Sequence, residues 1–154
     1  MNIQLRGITN LRAGLKRIGQ EGEVITKREL MRSGLNVQAG AKRRVPVDRG
    51  PLRNSIAIKA VRDGLEVQVG TNSKYAKPVE FGSRPHTPPI KEIQAWAKRK
   101  GLPPEAAGAI YWSITHHGTR AHPFLFPAFE EERPKFYTRL RRALLTEYSK
   151  QGPR

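Results

Sequence analysis

Four histidines, His86, His116, His117 and His122, crowd one stretch of the chain. Such a cluster invites a metal site or a metal-dependent nuclease. The spacing argues against both: adjacent histidines on a helix diverge by about 100°, and no carboxylate stands at a ligand-like interval from them, so the usual two-histidine-plus-acid set is missing. Ordinary hydrogen bonds of loop and helix-end imidazoles account for the four. The five acids between residues 51 and 128 are scattered. No Gly-x-Ser-x-Gly elbow, phosphate-cradling loop or dinucleotide fingerprint is present. Thr26 and Ser33 lie on a helical face, and Ser55 has no histidine near it in sequence. With no cysteine at all, there is no thiol nucleophile, thiolate zinc site or disulfide. The chain is expected to be neither an enzyme nor the holder of a metal or cofactor.

What the chain does carry is charge. Lys and Arg number 29 against 13 Asp and Glu, a net +16 over 154 residues. The excess is spread through the chain, +7 in residues 1–50, +6 in 51–128 and +3 in 129–154. A basic body points to a polyanion or an acidic partner. A basic nucleic-acid-binding module is therefore one reading, although no zinc finger, aromatic RNA-binding motif or helix-turn-helix is legible. A solvated basic face is the plainer account of such a stripe. No segment approaches the roughly 20 apolar residues that cross a bilayer, and the start MNIQLRG lacks the apolar stretch of a secretory signal.

The elements that would position any site follow from periodicity. Ile8, Leu11, Leu15 and Ile18 step by three and four, one helical face. Gly19 and Gly22 predict a kink, after which Ile25, Leu30, Met31, Leu35, Gln38 and Ala41 continue the pattern to about Lys42 or Arg43, before Pro46. Val45 to Ser55 reads as an ordered turn without secondary structure, in which Asp48 accepts hydrogen bonds from amides ahead of it and Pro51 fixes the backbone. Ser55–Val61 and Leu65–Gly70 flank Asp63-Gly64, and Leu65, Val67 and Val69 alternate with polar residues, which predicts a β-hairpin.

A short helix or turn follows, with Tyr75, Val79 and Phe81 along one side and Gly82 stopping it. Residues 83–121 read as a two-helix excursion: Ile90–Lys100, with Ile90, Ile93 and Trp96 or Ala97 inward, and Glu105–His116, with Ala106, Ala109, Ile110, Ser113 and Ile114 inward. Gly82-Ser83-Arg84-Pro85-His86 echoes Gly118-Thr119-Arg120-Ala121-His122, so the ends of the excursion are expected close together. His122–Ala128 is an apolar run between prolines, too short for a helix, which suggests an edge strand. The last helix has a stripe of Phe136, Leu140, Ala143, Leu144 and Tyr148, with Glu130, Glu131 and Glu132 in its early turns and Arg139, Arg141 and Arg142 later, matching its dipole. Residues 149–154 are expected to form a loose tail. The fold class is α+β in one domain: a long N-terminal helix, a small antiparallel sheet built on the hairpin, a two-helix insertion and a C-terminal helix.

Three blocks taken in order, Val45-Pro46-Val47-Asp48-Arg49-Gly50-Pro51-Leu52-Arg53-Asn54-Ser55-Ile56, then Val69-Gly70-Thr71 with Tyr75-Ala76-Lys77-Pro78-Val79-Glu80-Phe81-Gly82, then Pro123-Phe124-Leu125-Phe126-Pro127-Ala128, resemble the neck or minor tail-component family of long-tailed bacteriophages. Its pattern is a helix, a Pro-Val-Asp-Thr-Gly-x-Leu turn, a hairpin, Tyr-Ala-x-x-Val-Glu-Phe-Gly, and a Pro-Phe-Leu-x-Pro-Ala block before a last helix. The likeness spans about residues 5–148. Arg49 replaces the usual threonine, Pro51 occupies a variable position, Ser83 stands where threonine is common, and the excursion is optional. These departures bear on the subgroup: neck, tail-completion and tail-terminating proteins share this order of elements.

The resemblance implies a structural virion protein joining the DNA-filled head to the tail. It would act as a ring of about six copies around the DNA exit channel, beside head-connector and tail-tube proteins, with nonspecific contact to DNA and none to membrane. It implies a place in the virion neck, after assembly in the host cytoplasm. The family-motif residues Pro46, Asp48, Gly50, Leu52, Ser55, Tyr75, Ala76, Glu80, Phe81, Gly82, Pro123, Phe124, Leu125, Pro127 and Ala128 are the candidates for subunit contacts, with packing inside the subunit as the competing role.

Overall fold

A computed structural model describes the chain from Ile8 to Lys150, with side chains from Gly19 onward. The side chains of the first predicted helical face, the MNIQLRG start and Gln151–Arg154 lie outside the described residues.

Helix α1 runs from Ile8 to Arg44 without interruption. Gly19 and Gly22, where a kink was expected, do not end the helix; a single glycine weakens a helix by only about 1 kcal/mol. Ile25, Glu29, Val37, Ala41 and Val45 are buried, and they recur at multiples of four, the row that one helix lays along another. Pro46 disfavours a helical conformation at Val45, so α1 ends at Arg44, within the sequence estimate.

The turn contains more structure than predicted: Pro51–Ser55 form a short helix, α2, preceded by Gly50 at φ 92°. Proline at the first helical position needs no N–H. Strands β1 (Ala57–Val61) and β2 (Glu66–Gly70) then pair antiparallel, from Ala57↔Gly70 to Val61↔Glu66. The turn between them has positive φ at Arg62 (49°), Asp63 (52°) and Gly64 (86°). Asp-Gly thus supplies the left-handed angles as predicted, in a wider loop that leaves Leu65 unpaired and 47% exposed.

The sheet docks on α1 at Gly34, where a Cβ would lie 2.5 Å from Ile58 Cδ1 and closer still to Val67 Cγ1. A Cβ there would force the Ile58 and Val67 side-chain tips to move. Gly34→Ala is expected to cost about 1–3 kcal/mol through overpacking, read as a lowered urea midpoint with unchanged slope.

Helix α3 (Ala76–Phe81) ends at Gly82. Val79 packs on the core, whereas Tyr75 is 67% and Phe81 76% exposed, so the three do not share an inward face. Helices α4 (Ile90–Arg99) and α5 (Pro104–His117) follow. They bury Ile93, Ala97 and Ala107, with Ile110, Tyr111 and Ile114 packed around them; Ile90, Trp96, Ala109 and Ser113 stay exposed. This cluster is separate from the main one. The excursion therefore stands as an arm with its own small core.

The arm leaves and returns at one point. Ser83 and Thr119 form an isolated antiparallel bridge, with Ser83 N–H donating to Thr119 O at 3.1 Å and Thr119 N–H to Ser83 O at 3.3 Å. The echoed sequences meet there, as their likeness predicted. Gly82 (φ 76°) and Gly118 (φ 75°) supply the reversed backbone on each side, and a Cβ on Gly118 would run into the carbonyl oxygen of Ser83.

Helix α6 spans Leu125–Lys150. Two expectations fail on it. The His122–Ala128 run is not an edge strand, because Leu125 already begins the helix. Ser149 and Lys150, assigned to a loose tail, are its last turn. Glu130, Glu131 and Glu132 lie in the second turn, among the early turns as expected, and the first turn holds no acid of its own. Of the predicted stripe, Tyr148 is exposed and the other four are half-buried. The main core comprises Val37, Ala41, Val45, Ile56, Phe124 and Ala128, with Leu52, Val69, Ala76, Val79 and Leu125 against it. The architecture is mostly helical with a small sheet.

Candidate functional site

The first four N–H groups of any helix lack partners within it. In α6 these belong to Phe124, Leu125, Phe126 and residue 127, and residue 127 is proline, which has no N–H to satisfy. The remaining three all donate to one side chain. Phe124 and Leu125 N–H donate to Glu80 Oε2 at 2.8 and 2.9 Å, and Phe126 N–H to Oε1 at 2.9 Å. A buried carboxylate on α3 thereby caps a helix that starts more than forty residues later, at the end where the dipole favours negative charge. His122 N–H donates to Val79 O at 2.7 Å beside it. Two of the three motif blocks are joined by this single residue.

The first block is tied in more simply. Ser55 Oγ lies 2.6 Å from Thr71 Oγ1 and donates to Leu52 O, which links α2 to the end of β2. Gln38 on α1 donates to Ile56 O. Asp48 does not serve the amides of its own turn, as predicted; it takes the Arg99 guanidinium, Nη2–Oδ2 2.6 Å and Nε–Oδ1 3.3 Å. The local turn is already closed by Asn54 N–H donating to Gly50 O, so the carboxylate is free to reach outward. Lys100 Nζ donates to Val47 O, and together these contacts clasp the tip of α4 to the turn.

The Arg99 hydrogen bonds hold the Asp48 carboxyl below the usual carboxylate range. Because the depressed pKa belongs to the clasped state, the clasp is complete above the ordinary aspartate pKa, near 3.9, and is lost as pH falls through the lower value. Carbon-13 NMR titration of the side chain is expected to show that lowered midpoint. Asp48→Asn should speed amide exchange in α4 at neutral pH while leaving global unfolding nearly unchanged.

A third polar cluster welds α1 to α6. Arg139 reaches Glu29, Glu132 and Ser33, and Asn36 donates to Glu132 at 3.1 Å. Burial pushes the Glu132 carboxyl up, but Arg139 and Asn36 outweigh it and the net shift is downward. By sequence Arg139 belongs with the charges that match the helix dipole; its position three residues after Phe136 and four before Ala143, both half-buried, was the signal that it faces α1.

The motif residues divide by location. Glu80, Phe124 and Ala128 are buried in this subunit's own core; Leu52, Ser55, Ala76, Leu125 and Pro127 are half-buried around it; Pro46, Asp48, Tyr75, Phe81 and Pro123 are exposed. Gly50 and Gly82 set backbone reversals at the starts of α2 and the arm. Phe126, absent from the candidate set's named contacts, is 62% exposed. His116 stacks on Trp112 with ring centroids 4.3 Å apart, and His86 lies beside Ser83 and Arg84 O. Among the described residues, no group of three or more His, Cys, Asp and Glu is placed to hold a metal ion, and no helix is long and apolar enough to cross a membrane.

These features define a protein whose motifs serve rigid packing and surface presentation. Residues 10–82 match the family model HK97-gp10_like, described as "Bacteriophage HK97-gp10, putative tail-component". The match supports the tailed-phage neck and tail-completion family that the motifs resemble, and that family of phage tail components is consistent with a structural role in the virion. It covers α1 from residue 10, the turn, the hairpin and α3, and stops at Gly82 where the arm begins. No curated protein and no solved structure matches the chain.

Proposed function

We propose that the chain is one subunit of a ring, of about six copies, that joins the DNA-filled head of a tailed phage to its tail around the DNA exit channel. The observation that carries this reading is the tail-component match over residues 10–82, reinforced by the Pro123–Ala128 block that Glu80 draws into the same core. The subunit is a single domain with residues 83–121 as an inserted arm, and its work is binding, without catalysis. The buried motif residues keep the subunit rigid. The exposed ones, Pro46 and Asp48 at the clasp with Tyr75 and Phe81 on α3, meet sibling copies and the adjoining head-connector and tail-tube proteins. The net charge of +16 faces DNA in the channel or acidic neighbours. The protein assembles in the host cytoplasm and resides in the virion neck.

A phage carrying a stop codon early in the gene tests this. Filled heads and separate, unjoined tails are the expected products, and mass spectrometry of wild-type virions should find the protein. Joined, infectious particles without it would overturn the proposal. The basic module remains a second reading because of the charge. The isolated subunit is expected to bind duplex DNA weakly, whereas micromolar binding with a steep salt slope would favour that module.

A further inference from the structure

A cleft of about 400 Å³ opens along the seam between α1 and the later turns of α6, lined by Arg28 and Arg32 from one helix and Arg142 and Lys150 from the other. Spacings of four and eight residues keep each pair on one face of its own helix. Glu29 and Glu147 are the acids in the lining. Glu29 is buried and already takes Arg139. Arg28 reaches Glu29, and Lys150 reaches Glu147, at 3.4 Å each, but both cations are 64% exposed, so these pairs hold them weakly. Arg32 and Arg142 are exposed and have no partner among the described residues.

Cations gathered in a cleft with so little opposing charge attract a polyanion. The rest of the lining says which kind. Beside the charged residues it holds only Ile25, Ala143 and Thr146, with no aromatic ring. A protein partner is anchored by aromatic and apolar side chains, with charge depleted at the centre of the contact. A single strand needs rings on which its bases stack. The backbone of a duplex needs neither, because phosphates are held by Lys and Arg alone and carry no sequence information.

We propose that this cleft takes the phosphate backbone of duplex DNA, without sequence preference, through Arg32 and Arg142 with Arg28 and Lys150 beside them. Its setting rests on the ring reading above: the α1–α6 seam faces the DNA exit channel, and repetition around the ring supplies the hold that a single cleft lacks.

Fluorescence anisotropy with a short labelled duplex tests the cleft on the purified protein. At low salt weak binding is expected, with log K falling against log salt at a slope of about −2 to −4, roughly one unit for each cation engaged. Arg32→Gln combined with Arg142→Gln should weaken binding about tenfold or more and flatten that slope by about 2. Arg53→Gln combined with Lys59→Gln removes the same charge from exposed positions elsewhere and should change the slope little. All four side chains are exposed, so both double variants are expected to keep the wild-type circular dichroism spectrum. If the two pairs weaken binding equally, the charge of the whole chain holds the DNA and the proposal falls. It falls too if the wild type binds no duplex at low salt, or if polyglutamate displaces the duplex at equal charge concentration, which would give the cleft to an acidic protein. Each of these failures leaves the ring reading intact. That reading is tested separately by the stop-codon phage, whose joined particles would remove the ring while leaving the measured cleft in place.

Discussion

Glu80→Ala is expected to destabilise the protein by about 3–5 kcal/mol. Three N–H donors of α6 lose their common acceptor, and a buried unsatisfied donor costs roughly 1–3 kcal/mol, of which water entering the vacated space recovers a part. The helix also loses the negative charge at its positive end. Glu80→Gln keeps one acceptor oxygen but aims an amide at the remaining donors, so an intermediate loss of about 2 kcal/mol is expected. Urea unfolding of the three proteins measures the series. Equal stability of Glu80→Ala and wild type would show that the carboxylate is not the cap.

Phe124→Ala should lose about 3–5 kcal/mol by a different route. Phe124 is only 1% exposed and packs in the cluster of Val37, Ala41, Val45, Ile56 and Ala128, so truncation leaves a cavity walled by α1 and the start of α6. Domains of this size are stable by only about 5–15 kcal/mol. Either substitution therefore consumes a large share of the margin, and both should lower soluble yield. Phe124→Leu, which refills most of the volume, is expected to recover more than half of the loss in the same urea titration.

The elements that could be read from sequence were those whose cause is local. The hairpin follows from Asp63-Gly64 and the alternation of Val67 and Val69, and the meeting of Ser83 with Thr119 follows from two similar pentapeptides. Features caused by distant residues were not legible. His122–Ala128 reads as a strand because Pro123 and Pro127 look like breakers; in the fold Pro127 is one of the four first positions of the helix, where a missing N–H costs no helical bond, and the acceptor for the other three is Glu80. Asp48 similarly reads as a turn former until Arg99, 51 residues on, takes its carboxylate. Arg139 looks like a dipole-matching charge, yet its partner Glu29 lies 110 residues away. The candidate contact residues mixed both roles for the same reason: a motif records which residues belong together without saying whether they meet inside a subunit or across a boundary.

The single point of departure and return at Ser83 and Thr119 makes the intervening helices a removable cassette. A body whose two severed ends already lie within hydrogen-bonding distance needs only a short tight turn to reseal. Phages could therefore gain, trade or discard the insert by recombination without refolding the remainder, and an experimenter could graft a tag or a label there for the same reason.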